Sequence, residues 1–251
     1  MVQKKADEDE GQKSATTLTI TPPNIQKLSI RIKGTSPYVQ NKFSAKAKAE
    51  IEEKHRAGST SKKGAKKKPR DFESEYEQAK HLDVEGRIGI PAPAFRKAMI
   101  DACRTCGFKM THAKMGVFIE PDTTDAEDDT PLVFIEGEPE QHKGMVRNKT
   151  GVCDIRMRPM WRKWSALVRI TFDGDMFTAN DVLNLMARVG WQVGIGEGRP
   201  FSKDSAGQGW GKFEVAEVVE EPVEDIDSNH HDESSAGRQG MGGKTDRPIR
   251  K

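Results

Sequence analysis

"RIGIPAPAFRKAMIDACRTCG", residues 87–107, carries the clearest fold signal in the chain. Ile88 and Ile90 make a short strand, and Pro91 and Pro93 suit the entry to a helix. Phe95, Met99, Ala102, Cys103 and Cys106 then recur at helical spacing as one apolar stripe. Gly107 offers a left-handed stop. Arg96, Lys97 and Arg104 fall off the stripe and face elsewhere.

Outward from this unit the pattern continues. "IQKLSIRIKG" (25–34) alternates as a half-buried strand and is broken at Pro37, and 41–55 favours helix with Asn41 as N-cap. "MGVFIE" (115–120) and "PLVFIEGE" (131–138) read as two strands bridged by an acidic loop, and Leu167, Val168, Ile170 and Phe172 give a further strand. "TANDVLNLMARVG" (178–190) is a helix capped by Thr178, with Asp181 completing a capping box and Gly190 ending it. "WQVGIGEG" (191–198) and "WGKFEVAEVV" (210–219) read as strands on either side of a glycine-rich loop. The order predicts an α+β fold on a β-α-β-β-α-β plan with insertions. Both helices would cover one face of an antiparallel sheet and leave the other for a ligand.

Apolar residues make up 34% of the 251 and charged residues 32%, so the core is smaller than the length suggests. Residues 1–24 and 220–251 carry few clustered aliphatics and read as disordered tails around one domain over 25–219. No apolar run reaches the ~18 residues of a membrane span, and the charged start "MVQKKADEDEGQKS" lacks a secretory core. With three cysteines, these features place the chain in a cytoplasm.

The net charge of +2 hides segregated blocks. Residues 54–70 hold eight Lys/Arg and no acid, as a mobile basic arm would. Residues 143–170 hold eight against Asp154 alone, while 121–140 hold eight Asp/Glu and no base. Residues 214–233 are purely acidic. Such separation gives an oriented field.

Arg156 and Arg158 alternate, so an extended chain points both to one face, and Trp161, Arg162, Lys163 and Trp164 follow at once. Guanidinium groups for phosphates and indoles for unstacked bases are what single-stranded nucleic acid requires. The competing reading buries both tryptophans and pairs the arginines with the acidic loop. In 190–215, seven glycines permit close approach of a ligand, with Arg199, Lys203 and Lys212 as the charges. "GQGWGKF" lacks the hydroxyl of a Walker loop, and "GIGEGR" lacks the third glycine and the helix of a dinucleotide fingerprint. One C-x-x-C, at Cys103 and Cys106, is half of a zinc site, and the acidic loop lacks calcium-loop spacing. No metal or cofactor is assigned. His81, His112 and His142 stand singly in the sequence, and no catalytic residue is assigned.

The proline-entered helix "IPAPAFRKAMIDACR" and the glycine pattern, Gly194-Ile-Gly196-Glu-Gly198-Arg199 with Gly207-Gln-Gly209-Trp-Gly211-Lys-Phe213, resemble the RAMP superfamily. Those are the RNA-recognition-fold subunits of CRISPR effector complexes, with the backbone subunit the nearer likeness. The chain is also similar to uncharacterised proteins associated with phages and integrated elements. The resemblance covers about residues 25–219. It implies a ferredoxin-like, RNA-recognition-type domain whose glycine loop (Gly196, Gly198) and helix entry (Arg96, Lys97) contact a nucleic-acid backbone. Copies would stack along one strand as a homo-oligomer. The catalytic histidine of the processing members has no match.

The expectation is a non-enzymatic binder of single-stranded RNA or DNA. Arg156, Arg158, Arg162, Lys163, Arg199, Lys203 and Lys212 would meet phosphates, while Trp161 and Trp164 stack on bases. Two alternatives stay open. One is an endoribonuclease of the same fold, with His112 or Asp204 as the base, and the other is a module that docks on host or phage nucleic-acid machinery through its acidic segments.

Overall fold

Ile30 and Ile32 are fully buried while Lys27 and Lys33 are exposed, so the alternation in 25–34 becomes a half-buried strand, β1 (Ile25–Gly34). The computed structural model describes residues 20–43, 71–147, 153–202 and 207–219, with helical backbone also at Ala49, Glu52 and Arg56. The two expected tails, nearly all of the basic 54–70 segment, and Lys203 and Asp204 lie outside the described residues. So does most of the helix expected over 41–55.

The described residues form four helices and three antiparallel sheets. The helices are α1 (Phe72–Gln78), α2 (Ala92–Cys106), α3 (Met110–Gly116) and α4 (Ala179–Arg188). In the largest sheet, β1 pairs with β9 (Ser165–Asp173) on one side and β10 (Phe213–Val219) on the other, and β4 (Val117–Glu120) pairs with β9. The order is β10-β1-β9-β4, with every neighbouring pair antiparallel. α2 lies between β1 and β4 in the chain, and α4 lies between β9 and β10.

Register sets what each face does. Ile30 stands opposite Val168 and Ile32 opposite Ala166, and all four join Phe95, Met99, Val182 and Met186 of the two helices in one buried core. Each large side chain buried there is worth about 1.5–3 kcal/mol. The reverse face is polar but already paired: Lys27 with Glu120 at 3.2 Å, Arg31 with Glu136 at 2.7 Å, and Arg169 with Asp122. The face expected to await a ligand thus carries these ion pairs at its surface.

Several local signals produce the elements they predict. Gly107 ends α2 at φ 69°, and its N–H donates to the Cys103 carbonyl. Thr178 and Asp181 form the reciprocal capping box of α4.

Other expectations are corrected. β6 (Pro131–Phe134) does not pair with β4. It joins β3 (Gly89–Pro91) and β5 (Thr123–Thr124) in a second sheet. The acidic loop is folded on itself, with Asp122, Asp125 and Asp128 accepting hydrogen bonds from the amides of Phe134, Glu127 and Thr130. A hairpin of β7 (Glu140–Arg147) and β8 (Cys153–Trp161) extends to β2 (Tyr38–Val39) as a third sheet. The strand expected over 191–198 is instead a π-turn, Val189–Val193, followed by loop. Gly190 permits this, because a Cβ there would lie 2.1 Å from the Phe213 carbonyl oxygen. The helix end therefore packs directly onto β10.

Candidate functional site

A cleft of about 420 Å³ opens where three segments meet. Tyr38 belongs to β2 and Gln40 and Asn41 follow it, Pro91 ends β3 as the N-cap of α2 with Ala94 in the first turn, and 196–199 form the glycine loop. His81 and Ser202 complete the lining.

The glycine loop approaches closely because its backbone is left-handed. Gly194, Gly196 and Gly198 have φ of 68°, 78° and 74°. At Gly196 a Cβ would lie 2.5 Å from the Val39 carbonyl oxygen and 2.6 Å from the Tyr38 ring. Glu197 N–H donates to that carbonyl at 2.9 Å, so the loop is fastened to β2. The neighbouring amides of Gly196, Gly198 and Arg199 donate to no described residue. Arg199 spends one guanidinium hydrogen bond on the Gly196 carbonyl, at 3.1 Å.

α2 begins at Pro91 with no side-chain cap, and Pro93 has no N–H to offer. The first amides of a helix lack intrahelical acceptors and sit at the positive end of its dipole. The uncapped start of α2, the glycine loop and Arg199 thus line one cleft.

The β7–β8 hairpin supplies more charge. Its register places His142 opposite Arg158 and Gly144 opposite Arg156, so the two arginines share one face. That face turns to the glycine loop. Arg158 Nε binds Glu197 at 3.1 Å, Arg156 lies 3.8 Å from the same carboxylate, and His142 packs edge-on to Trp210 at 5.3 Å. Arg156 also meets Asp154 at 3.5 Å. α1 occupies the opposite face, with Lys143 over Phe72 and Gln141 bonded to Glu73.

Under the cleft lies a buried polar network absent from the sequence reading. His81 Nδ1 is 2.9 Å from Asp125 Oδ2, and Lys42 Nζ is 2.6 Å from Asp125 Oδ1 and 2.9 Å from Glu127. The Lys42 and Asp125 side chains are only 4% and 0% exposed. Burial pushes the His81 pKa down, outweighing the Asp125 contact that raises it, so the ring is neutral at pH 7. Burial raises the Asp125 carboxyl, but bonds from Lys42, the Glu127 amide and His81 outweigh it and hold the group below the ordinary carboxylate range. Lys42 is lowered by burial and raised more by its two carboxylates, and it stays charged. His81, Asp125 and Asp128 each place one metal-capable atom within 4.8 Å of the others. The Lys42 ammonium already neutralises the central carboxylate of that group.

The structure separates the residues nominated from sequence. Gly196, Gly198 and Arg199 line the cleft, and Arg156 and Arg158 reach it through Glu197. Trp161 and Trp164 do not serve as exposed stacking surfaces. They are 0% and 4% exposed, both pack against Tyr38 at 5.5 Å, and Trp164 donates to the Ser36 carbonyl. Arg96 turns away from the cleft to the Val117 and Lys114 carbonyls, and Lys97 pairs with Asp101 at 2.7 Å. Arg162 pairs with Glu140 on the β8–β9 turn, where Lys163 is exposed beside it. Lys212 lies over the ring of Trp191 at 4.5 Å. His112, nominated as a base, packs edge-on to Phe108 outside the cleft lining. The histidine that lines the cleft is His81, whose partner Asp125 is 44 residues away in sequence. No local spacing signals such a pair.

No described helix is long and apolar enough to cross a membrane. In comparison with known proteins, no family model and no curated protein matches the chain.

Proposed function

We propose that the protein binds single-stranded nucleic acid, RNA or DNA, by seating backbone phosphate in the cleft between the glycine loop and the start of α2. The observation that carries this is that the uncapped start of α2, Arg199 and a glycine loop whose Gly196, Gly198 and Arg199 amides donate to no described residue line one cleft. A polymer suits the site better than an isolated anion, because the Arg156–Arg158 face of the hairpin continues the basic surface. Glu197 holds both arginines in place, and a phosphate competes with it for them.

We read the β1–α2–β4–β9–α4–β10 path as a ferredoxin-like core, with the β7–β8 hairpin and the β3-β6-β5 sheet as insertions. The strand order and the two helices packed on one face support this. The likeness to RAMP subunits points the same way and rests on the helix-entry and glycine motifs alone.

The test is anisotropy of labelled single-stranded RNA and DNA across a salt series. Binding at low salt with log K falling linearly in log salt is expected, and Arg199→Ala should reduce the slope by about one. Absence of binding at low salt would overturn the proposal.

A second reading rests on the His81–Asp125 contact at the cleft wall. Asp125 fixes Nδ1, which leaves Nε2 as an acid–base group for RNA cleavage. Turnover of labelled RNA that vanishes in His81→Ala would establish it. Intact RNA after long incubation would leave binding alone.

A further inference from the structure

We propose that Trp191, together with Phe201, forms the base-stacking surface for the strand whose backbone occupies the cleft. This rests on the nucleic-acid reading above and supplies the aromatic contact that the buried Trp161 and Trp164 cannot. Trp191 is 71% exposed and Phe201 39%, in a chain whose other described indoles are at least partly covered.

Single exposed apolar residues are ordinary on protein surfaces. Three features set Trp191 apart. First, it is held on a fixed base. The Gly194 amide closes the π-turn onto the Val189 carbonyl at 2.8 Å, and Thr105 Oγ1 donates to the Gln192 side chain at 2.7 Å. Second, each of these two rings carries a cation. Lys212 Nζ sits 4.5 Å from the Trp191 centroid, and the Arg104 guanidinium is 5.9 Å from that of Phe201. An aromatic face beside a positive charge matches a nucleotide, with its base on the ring and its phosphate on the cation. Third, the chain links the rings to the cleft: the Phe201 amide donates to the Val193 carbonyl, and the next residue, Ser202, lines the cleft. The rings stand by the C-terminal end of α2 and the cleft by its start, ~15 Å away along the helix, so a strand leaving the phosphate cradle runs along α2 to reach them. Lys212 covers one face of the indole, and a base takes the other.

The experiment uses the full chain and a labelled single strand of ~12 nucleotides, within the usual site size of such binders. Trp191→Ala should weaken binding about 5- to 150-fold, the range that stacking gives on alanine substitution, with an unchanged melting temperature. Trp191→Phe should keep most of the affinity yet reduce strand-induced quenching of tryptophan emission, the remainder coming from Trp210 on the glycine loop. Affinity of Trp191→Ala within about twofold of wild type, or quenching undiminished in Trp191→Phe, overturns the platform while leaving the cleft proposal standing. If the wild-type chain binds no strand even at low salt, the nucleic-acid reading falls and the platform with it. Tight capture of a protein in place of the strand would likewise refute it.

Discussion

Gly196→Ala tests the link between the loop's backbone and the cleft. At φ 78° an L side chain costs about 1–2 kcal/mol. The added Cβ would also sit 2.5 Å from the Val39 carbonyl oxygen, against 3.4 Å or more for an ordinary contact. That oxygen cannot retreat freely, because it accepts the Glu197 amide, a bond worth about 1 kcal/mol. The total cost is about 2–3 kcal/mol, or roughly 5–10 °C in Tm for a domain of this size. Gly209→Ala is the control. Its φ is 76°, but nothing lies within 4 Å of its Cβ position, so it loses only the backbone portion, about 1–2 kcal/mol. Urea denaturation of both variants measures the difference, and strand anisotropy should show Gly196→Ala binding more weakly than Gly209→Ala. If Gly196→Ala is no more destabilising than Gly209→Ala, the close approach of loop to β2 is refuted.

Asp125→Asn should cost about 3 kcal/mol in urea denaturation, the lower end for breaking a buried pair, because Glu127 remains on Lys42. An unchanged midpoint would show that the network does not hold the acidic loop. Stability should also fall with pH in two stages. His81 titrates lower folded than unfolded, so its contribution is complete above the unfolded value near ~6.5 and is lost as pH drops toward the folded one. Asp125 behaves the same way below ~3.9. His81→Gln should flatten the upper stage of a Tm-versus-pH curve, and an unaltered curve would count against the buried neutral imidazole. Trp161→Ala should cost about 3–5 kcal/mol by loss of a buried ring. Trp161→Phe should cost less, since it also removes an indole N–H that has no partner among the described residues.

The elements read from sequence were those with local signals. The alternation in 25–34 and the Thr178–Asp181 box depend on neighbours within one element, and each forms as read; the stripe from Phe95 is buried as far as Cys103, while Cys106, in the last turn of α2, is exposed. The pairing of strands was not legible in the same way. Whether "PLVFIEGE" joins "MGVFIE" or Gly89–Pro91 depends on contacts far along the chain, and the acidic side chains decide it by hydrogen-bonding their own loop. At the site, glycine spacing and Arg199 marked one wall of the cleft, because left-handed backbone leaves a compositional trace. The tryptophans misled, since a Trp beside Arg looks alike on a platform and in a core. Only packing against Tyr38 distinguishes Trp161 from the exposed Trp191. His81 and Asp125 carried no signal at all, being joined by the fold rather than by spacing.

Photocrosslinking tests the central claim most directly, with a single strand that carries 4-thiouridine and mass-spectrometric mapping of the adducts on the full chain. Adducts at Tyr38, His81 or within 196–202 are predicted. Adducts confined to the basic 54–70 segment or to the ion-paired outer face of the main sheet would contradict it.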